Sequence, residues 1–82
     1  MKTNEMRKGQ EIKLRNGWIA EIADNMRGNI RIAKVYGTYT EMGSIYSHDI
    51  VAYLGEDNEW KTDIEYTPGQ LKCKEMNEAM GF

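Results

Sequence analysis

The first regular pattern in the chain is Glu11-Ile12-Lys13-Leu14-Arg15, in which polar and apolar side chains alternate. A period of two puts successive side chains on opposite faces, so this stretch predicts a half-buried strand. Asn16-Gly17 follows at once. Both residues tolerate the positive φ of a tight hairpin turn, so the chain is expected to reverse there. The return strand covers residues 18–23, with Trp18, Ala20 and Ile22 on one face and Ile19, Glu21 and Ala23 on the other. Residues 24–29 are rich in turn formers. A third strand is expected from Ile30 to Tyr36, with Ile30 and Ile32 facing one way and Arg31 the other.

Gly37 interrupts a β-branched and aromatic run from Val35 to Thr40, which suggests a bulge or sharp bend within a strand that continues to Glu41. Met42-Gly43-Ser44 reads as a turn and Ile45-Tyr46-Ser47 as a short irregular or 3₁₀ link. Residues 49–54 read as the next strand, 55–59 as a polar loop and 60–66 as a weakly alternating last strand. Thr67-Pro68-Gly69-Gln70 then carries a helix start: an N-cap Thr, Pro at the first helical position and Gln three residues after the cap. The helix is expected over about 68–80, stopping at Gly81. Its apolar stripe is Cys73, Met76, Ala79 and Met80, with Leu71 at the edge.

Five short strands and one helix predict a mainly β (α+β) fold: a small SH3-like or OB-like five-stranded barrel with a C-terminal α-helix. Residues 1–8 read as a flexible polar lead-in and 9–82 as one domain, its strands within 9–66. A chain of 82 residues buries only about 60% of its unfolded surface, which leaves room for one modest core. Hydrophobic residues at 40% and charged residues at 29% argue against disorder. No apolar run approaches the roughly 20 residues of a membrane span, and the N-terminus lacks the apolar stretch of a secretory signal. Cys73 is the single cysteine, so no intrachain disulfide forms. A cytoplasmic location is expected on these grounds.

Candidate chemistry is sparse. His48 precedes Asp49, with Ser44 and Ser47 nearby, but a triad needs three converging groups and an oxyanion site, and adjacency in a strand does not make a hydrogen-bonded pair. His48 reads as a cap on the turn into the next strand. Cys73 and His48 are too few for a zinc site. The acidic stretch lacks the spacing of a calcium loop, and the glycines are too scattered for a phosphate loop. No catalytic residue, metal or cofactor is expected.

Binding is the better reading. Five Tyr and two Trp, beside one Phe, exceed what one small core can hide, and Tyr and Trp anchor interfaces. Tyr36, Tyr39 and Tyr46, together with the acidic Glu56, Asp57 and Glu59, are the candidate protein-contact residues. The alternative is a small nucleic-acid-binding barrel. Residues 1–35 carry eight Lys/Arg against four Asp/Glu, and the rest three against nine. Arg15, Arg27, Arg31 and Lys34, interleaved with aromatics, would line its basic groove, although a pI near 5.4 is low for a dedicated binder. A homodimeric structural or assembly factor is the third reading.

The run Gly43-Ser44-Ile45-Tyr46-Ser47-His48-Asp49-Ile50, after Lys13-Leu14-Arg15-Asn16-Gly17-Trp18, resembles small proteins of bacteriophages and plasmids, as does the opening Tyr66-Thr67-Pro68-Gly69-Gln70-Leu71. The resemblance covers about residues 9–55 and brings no assigned site residues. It implies a bacterial host cell and a host or defence protein as partner, as for anti-CRISPR and anti-restriction inhibitors.

Overall fold

The computed structural model describes residues 1–81. Six strands and one helix follow in chain order: β1 (Glu11–Leu14), β2 (Ile19–Ile22), β3 (Ile30–Tyr36), β4 (Thr40–Tyr46), β5 (Ile50–Leu54), β6 (Trp60–Lys61) and α1 (Pro68–Ala79). Short 3₁₀ turns cover Thr3–Glu5 and Ser47–Asp49. The strands form one antiparallel sheet in the order β4-β3-β2-β1-β5-β6. The mainly β α+β class is as the pattern predicts, with six strands in place of five.

The β1–β2 reversal lies at Asn16-Gly17, but only Gly17 takes positive φ there, at 89°. Leu14 N donates to Trp18 O at 2.8 Å, Gly17 N donates to Leu14 O at 2.8 Å, and Asn16 Oδ1 accepts from Trp18 N at 3.0 Å. The turn is therefore wider than a two-residue hairpin. Along β1–β5, Lys13 pairs with Ala52 and Leu14 with Ile50, which leaves Val51 as an extra residue that bends β5.

Two strand assignments are corrected. Met42-Gly43-Ser44 is the middle of β4, and the reversal sits at residues 37–39, where Gly37 N donates to Tyr39 O. Gly37 is needed for contact: a Cβ there would come within 2.6 Å of the Trp18 ring. The expected last strand shrinks to Trp60–Lys61, because the following residues instead pair with the N-terminus. Thr3 N donates to Glu65 O, Glu65 N to Met1 O, and the terminal amine contacts the Asp63 carbonyl.

That pairing also corrects the expected flexible lead-in. Thr3 and Met6 are fully buried, and Met6 belongs to the core with Ile12, Leu14, Ala20, Ile22, Ala33, Ile50 and Tyr53. The cause is Arg31. Its side chain is fully buried, where an unpaired guanidinium would be very costly. Nε donates to Asp24 Oδ1 at 2.6 Å, Nη1 to Thr3 O at 3.1 Å, and Nη2 to Met6 O at 2.7 Å and Asp24 O at 3.3 Å. The N-terminal segment supplies two of these acceptors, so it is ordered wherever Arg31 is satisfied. Asp24 also accepts from Ile32 N at 2.6 Å. Burial pushes its carboxyl up, but the Ile32 N–H and the Arg31 guanidinium outweigh that and hold it below the usual carboxylate range.

The helix starts as the pattern predicts. Thr67 Oγ1 accepts from Gln70 N at 3.1 Å, and Gln70 Oε1 accepts from Thr67 N at 3.0 Å. The expected apolar stripe does not face the core. Met76, Ala79, Met80 and Leu71 are exposed, while the side facing the domain is Gln70, Cys73, Lys74 and Asn77. A polar knot turns it that way. Buried Gln70 accepts from Thr3 Oγ1 at 2.6 Å, and its Nε2 donates to Gly28 O at 2.8 Å and Asn4 Oδ1 at 3.3 Å. Ser47 Oγ donates to the same Gly28 carbonyl at 2.6 Å.

Arg31→Met keeps the apolar stem but strands the Asp24 carboxylate and the Thr3 and Met6 carbonyls. It is expected to destabilise the fold by about 3–5 kcal/mol, read as a lower urea midpoint, with Arg31→Lys intermediate because an ammonium cannot reach three acceptors in one fork.

Candidate contact surface

Because Arg31, Ala33 and Val35 point inward, the other side of β3 points out. Ile30, Ile32, Lys34 and Tyr36 lie on the exposed face. The register extends this face across the sheet: Ile19 pairs with Tyr36, Tyr36 with Thr40, Lys34 with Met42, Ile32 with Ser44 and Ile30 with Tyr46. Ile30 is 51% and Met42 65% exposed, and Ile19, Ile32, Tyr36 and Tyr46 are also open to solvent. These side chains form an apolar band over β2, β3 and β4. Charges lie within and beside it: Lys34 stands between Ile32 and Tyr36, opposite Glu21, and Lys13 lies over the Trp60 ring at 4.8 Å.

Of the predicted contact residues, Tyr36 and Tyr46 lie on this band, and Tyr39, 76% exposed, tops the β3–β4 turn at its rim. Glu56, Asp57 and Glu59 lie in the β5–β6 turn, at the other edge of the strand order. The aromatic and acidic candidates therefore do not lie side by side in the sheet. Asp57 is partly committed: it accepts from Lys61 Nζ at 3.1 Å, which holds its carboxyl below the ordinary range, and from Glu59 N at 3.2 Å.

The basic candidates are scattered. Arg31 is in the core and is corrected from a surface residue to a structural one. Arg15, at the β1–β2 turn, is 3.3 Å from Asp49 Oδ1 and 3.6 Å from Glu78 Oε1. Arg27 is exposed in the β2–β3 connection, and Lys34 lies on the apolar band. Three of the four remain outside the core, and they stand on three different parts of the surface.

A cleft of about 470 Å³ lies between the β1–β2 turn, the end of β4, the Ser47–Asp49 turn and α1. Arg15, Ser44, Tyr46, His48, Asp49 and Asn77 are among its walls. His48 is buried and stacks on Tyr46, with ring centroids 5.0 Å apart, rather than capping the turn. Its Nε2 lies 3.5 Å from Asn77 Nδ2 and 3.7 Å from Asp49 Oδ1, and its Nδ1 has no hydrogen-bond partner among the described residues. Burial, helped by Arg15 and Lys74, pulls the imidazole below its ordinary 6.5 against the opposing pull of Asp49 and Glu78. Ser47, the nearest hydroxyl in sequence, donates to Gly28 O. His48 is thus a neutral packing group between the sheet and the helix.

The pattern of residues 30–36 concealed Ile30 and Ile32 as surface residues. Alternation reveals two faces but not which is inward, and isoleucine opposite arginine argues for the wrong one. Among the described residues, no group of three or more His, Cys, Asp or Glu is placed to hold a metal ion, and no helix is long and apolar enough to cross a membrane.

Comparison with protein-family models, with curated proteins and with solved structures finds no match.

The depressed His48 pKa has a definite sign. The folded state binds fewer protons than the unfolded one below 6.5, so stability from this group is full above that pH and is lost as pH falls through the lowered folded value. Asp24 acts in a separate window, below 3.8. Urea midpoints are expected to fall as pH drops below 6.5 in the native chain, and His48→Gln is expected to flatten that slope.

Proposed function

We propose that this protein is a non-catalytic binding module that docks a protein partner on the apolar band of β2, β3 and β4. The exposed set Ile19, Ile30, Ile32, Tyr36, Met42 and Tyr46 carries the reading. The monomer gains nothing from leaving these side chains in water, at about 25 cal/mol per Å² of apolar surface. Tyr36 and Tyr46 supply broad, stiff contact area of the kind that anchors interfaces. Glu21 on β2 and Lys34 within the band add polar contacts among the apolar ones.

Several finer points belong to the same proposal. The meander of β1 to β4, with β5 returning to β1, fits an SH3-like barrel better than an OB-like one. The resemblance to small phage and plasmid proteins supports a host or defence protein in a bacterial cytoplasm as the partner, and inhibition as the outcome. The exposed Glu56 and Glu59 offer a second, acidic contact for a basic partner. Nucleic-acid binding is less favoured, because burial of Arg31 and the ion pairs of Arg15 break up the basic groove that reading needs.

The test is capture of partners from bacterial host lysate by the tagged protein, with and without nuclease, beside Tyr36→Ala/Met42→Glu and a charge reversal of Glu56 and Glu59. A protein retained after nuclease, and reduced at least tenfold by the band variant, is the expected result. Retention that is unaffected by the band variant, or that disappears with nuclease, contradicts the reading.

A further inference from the structure

β4 lies at the end of the strand order, so among the described residues one of its edges has no neighbouring strand. The hydrogen bonds flanking its pairing with β3 identify which residues that edge presents. Gly37 N donates to Tyr39 O, and Ser47 N donates to Asn29 O. Both pairs follow the β3–β4 register, in which Arg31 faces Ile45, Ala33 faces Gly43 and Val35 faces Glu41. Antiparallel pairs alternate between hydrogen-bonded and non-hydrogen-bonded. The odd-numbered β4 residues therefore bond to β3, and Thr40, Met42, Ser44 and Tyr46 turn their backbone N–H and C=O groups to the free edge.

The sequence of this edge lacks the usual protection, and its end, at Ser44 and Tyr46, borders the open cleft walled by Arg15 and Asn77. It has no Pro, no Lys and one charged residue, Glu41, and β4 runs seven residues, almost all exposed. At its centre stands Gly43. A glycine inside a strand weakens it, and the monomer does not require one here. Gly43 is not among the positive-φ glycines, and a Cβ added to it would meet nothing within 4 Å. A strand glycine with no internal reason marks a place where another backbone approaches.

We infer that the free edge of β4 pairs antiparallel with β4 of a second copy of this chain, about a two-fold axis at Gly43. In that register Thr40 faces the partner's Tyr46, and Met42 faces the partner's Ser44. Every outward N–H and C=O of the edge meets its complement, because both members of each pair are edge-presenting residues. The single charge is accommodated: Glu41 faces the partner's Ile45 rather than the partner's Glu41. Gly43 meets the partner's Gly43 at the non-hydrogen-bonded position, where strands run closest, with Cα atoms about 4.5 Å apart. The pairing also makes the two apolar bands continuous. Along one row, Ile19, Tyr36 and Thr40 lead across the seam to the partner's Tyr46 and the partner's Ile30. This goes beyond the docking reading above and stands on β4 alone.

The test combines solution mass with site-directed cross-linking in a Cys73→Ser background. By light scattering, the native chain is expected at twice 9.5 kDa in the micromolar range. Ser44→Pro removes an N–H that serves only the free edge, and is expected to give the monomer mass with an unchanged far-ultraviolet circular dichroism spectrum. Gly43→Cys is expected to form an intermolecular disulfide under mild oxidation, since bridged Cα atoms lie about 4.4–6.8 Å apart. Glu41→Cys is expected to remain uncrosslinked, its two copies being offset by four residues, roughly 13 Å along the seam. A native chain that stays at 9.5 kDa throughout that range overturns the proposal, as does equal cross-linking at positions 41 and 43. If Ser44→Pro fails to fold, the cysteine pair still decides. A monomeric chain that nevertheless captures a host protein through its band would overturn the dimer and leave the docking reading intact.

Discussion

The buried Arg31–Asp24 pair constrains the rest of the molecule. A guanidinium in the interior must have its donors satisfied, and those of Arg31 go to Asp24 and to the carbonyls of Thr3 and Met6. This requirement draws the N-terminal segment onto the inner side of the sheet, and Met6 comes with it into the core. Asp24, held between Arg31 and the Ile32 amide, fixes the exit of β2 against the entry of β3. A small chain with a thin apolar core thus gains a polar centre in which each guanidinium nitrogen has an acceptor, and satisfied networks of this kind rigidify a core.

Two surface features follow. With Arg31 inward, the period of two sends Ile30, Ile32 and Tyr36 outward, and the register carries that choice to Ile19, Met42 and Tyr46. With Thr3 held in place, the Gln70 side chain has a partner beside the sheet, and α1 docks on its polar side with Met76 and Met80 in solvent. The exposed apolar band is the outward consequence of an inward electrostatic choice.

Local signals were legible in the sequence. The β1–β2 reversal, the alternation in β1 to β3, the Thr67–Gln70 capping box and the stop at Gly81 rest on interactions within a few residues, and the structure contains each. Tyr36 and Tyr46 were also legible as exposed aromatics, since one small core cannot hold so many. What was concealed depends on distant partners. The inward facing of Arg31 depends on Thr3 and Met6, 28 and 25 residues away in sequence. The helix orientation depends on Thr3 and Gly28 meeting Gln70. Met42-Gly43-Ser44 has turn composition but strand geometry, because β3 offers it a full ladder of partners. Barrel-type patterning could not separate a sixth short strand from a tail that pairs with the N-terminus.

The orientation of β3 is the central claim, and adjacent substitutions of identical chemistry test it most directly. Thermal unfolding of Ile32→Glu and Ala33→Glu would be compared with the native chain. The account places Ile32 on the outer face and Ala33, fully buried, on the inner one. Ile32→Glu is therefore expected to cost about 1 kcal/mol or less, as a surface change does, while Ala33→Glu buries an unpaired carboxylate and costs about 4 kcal/mol or more. The reverse ranking would mean that the isoleucines face the core, and would contradict both the Arg31 centre and the exposed apolar band that follows from it.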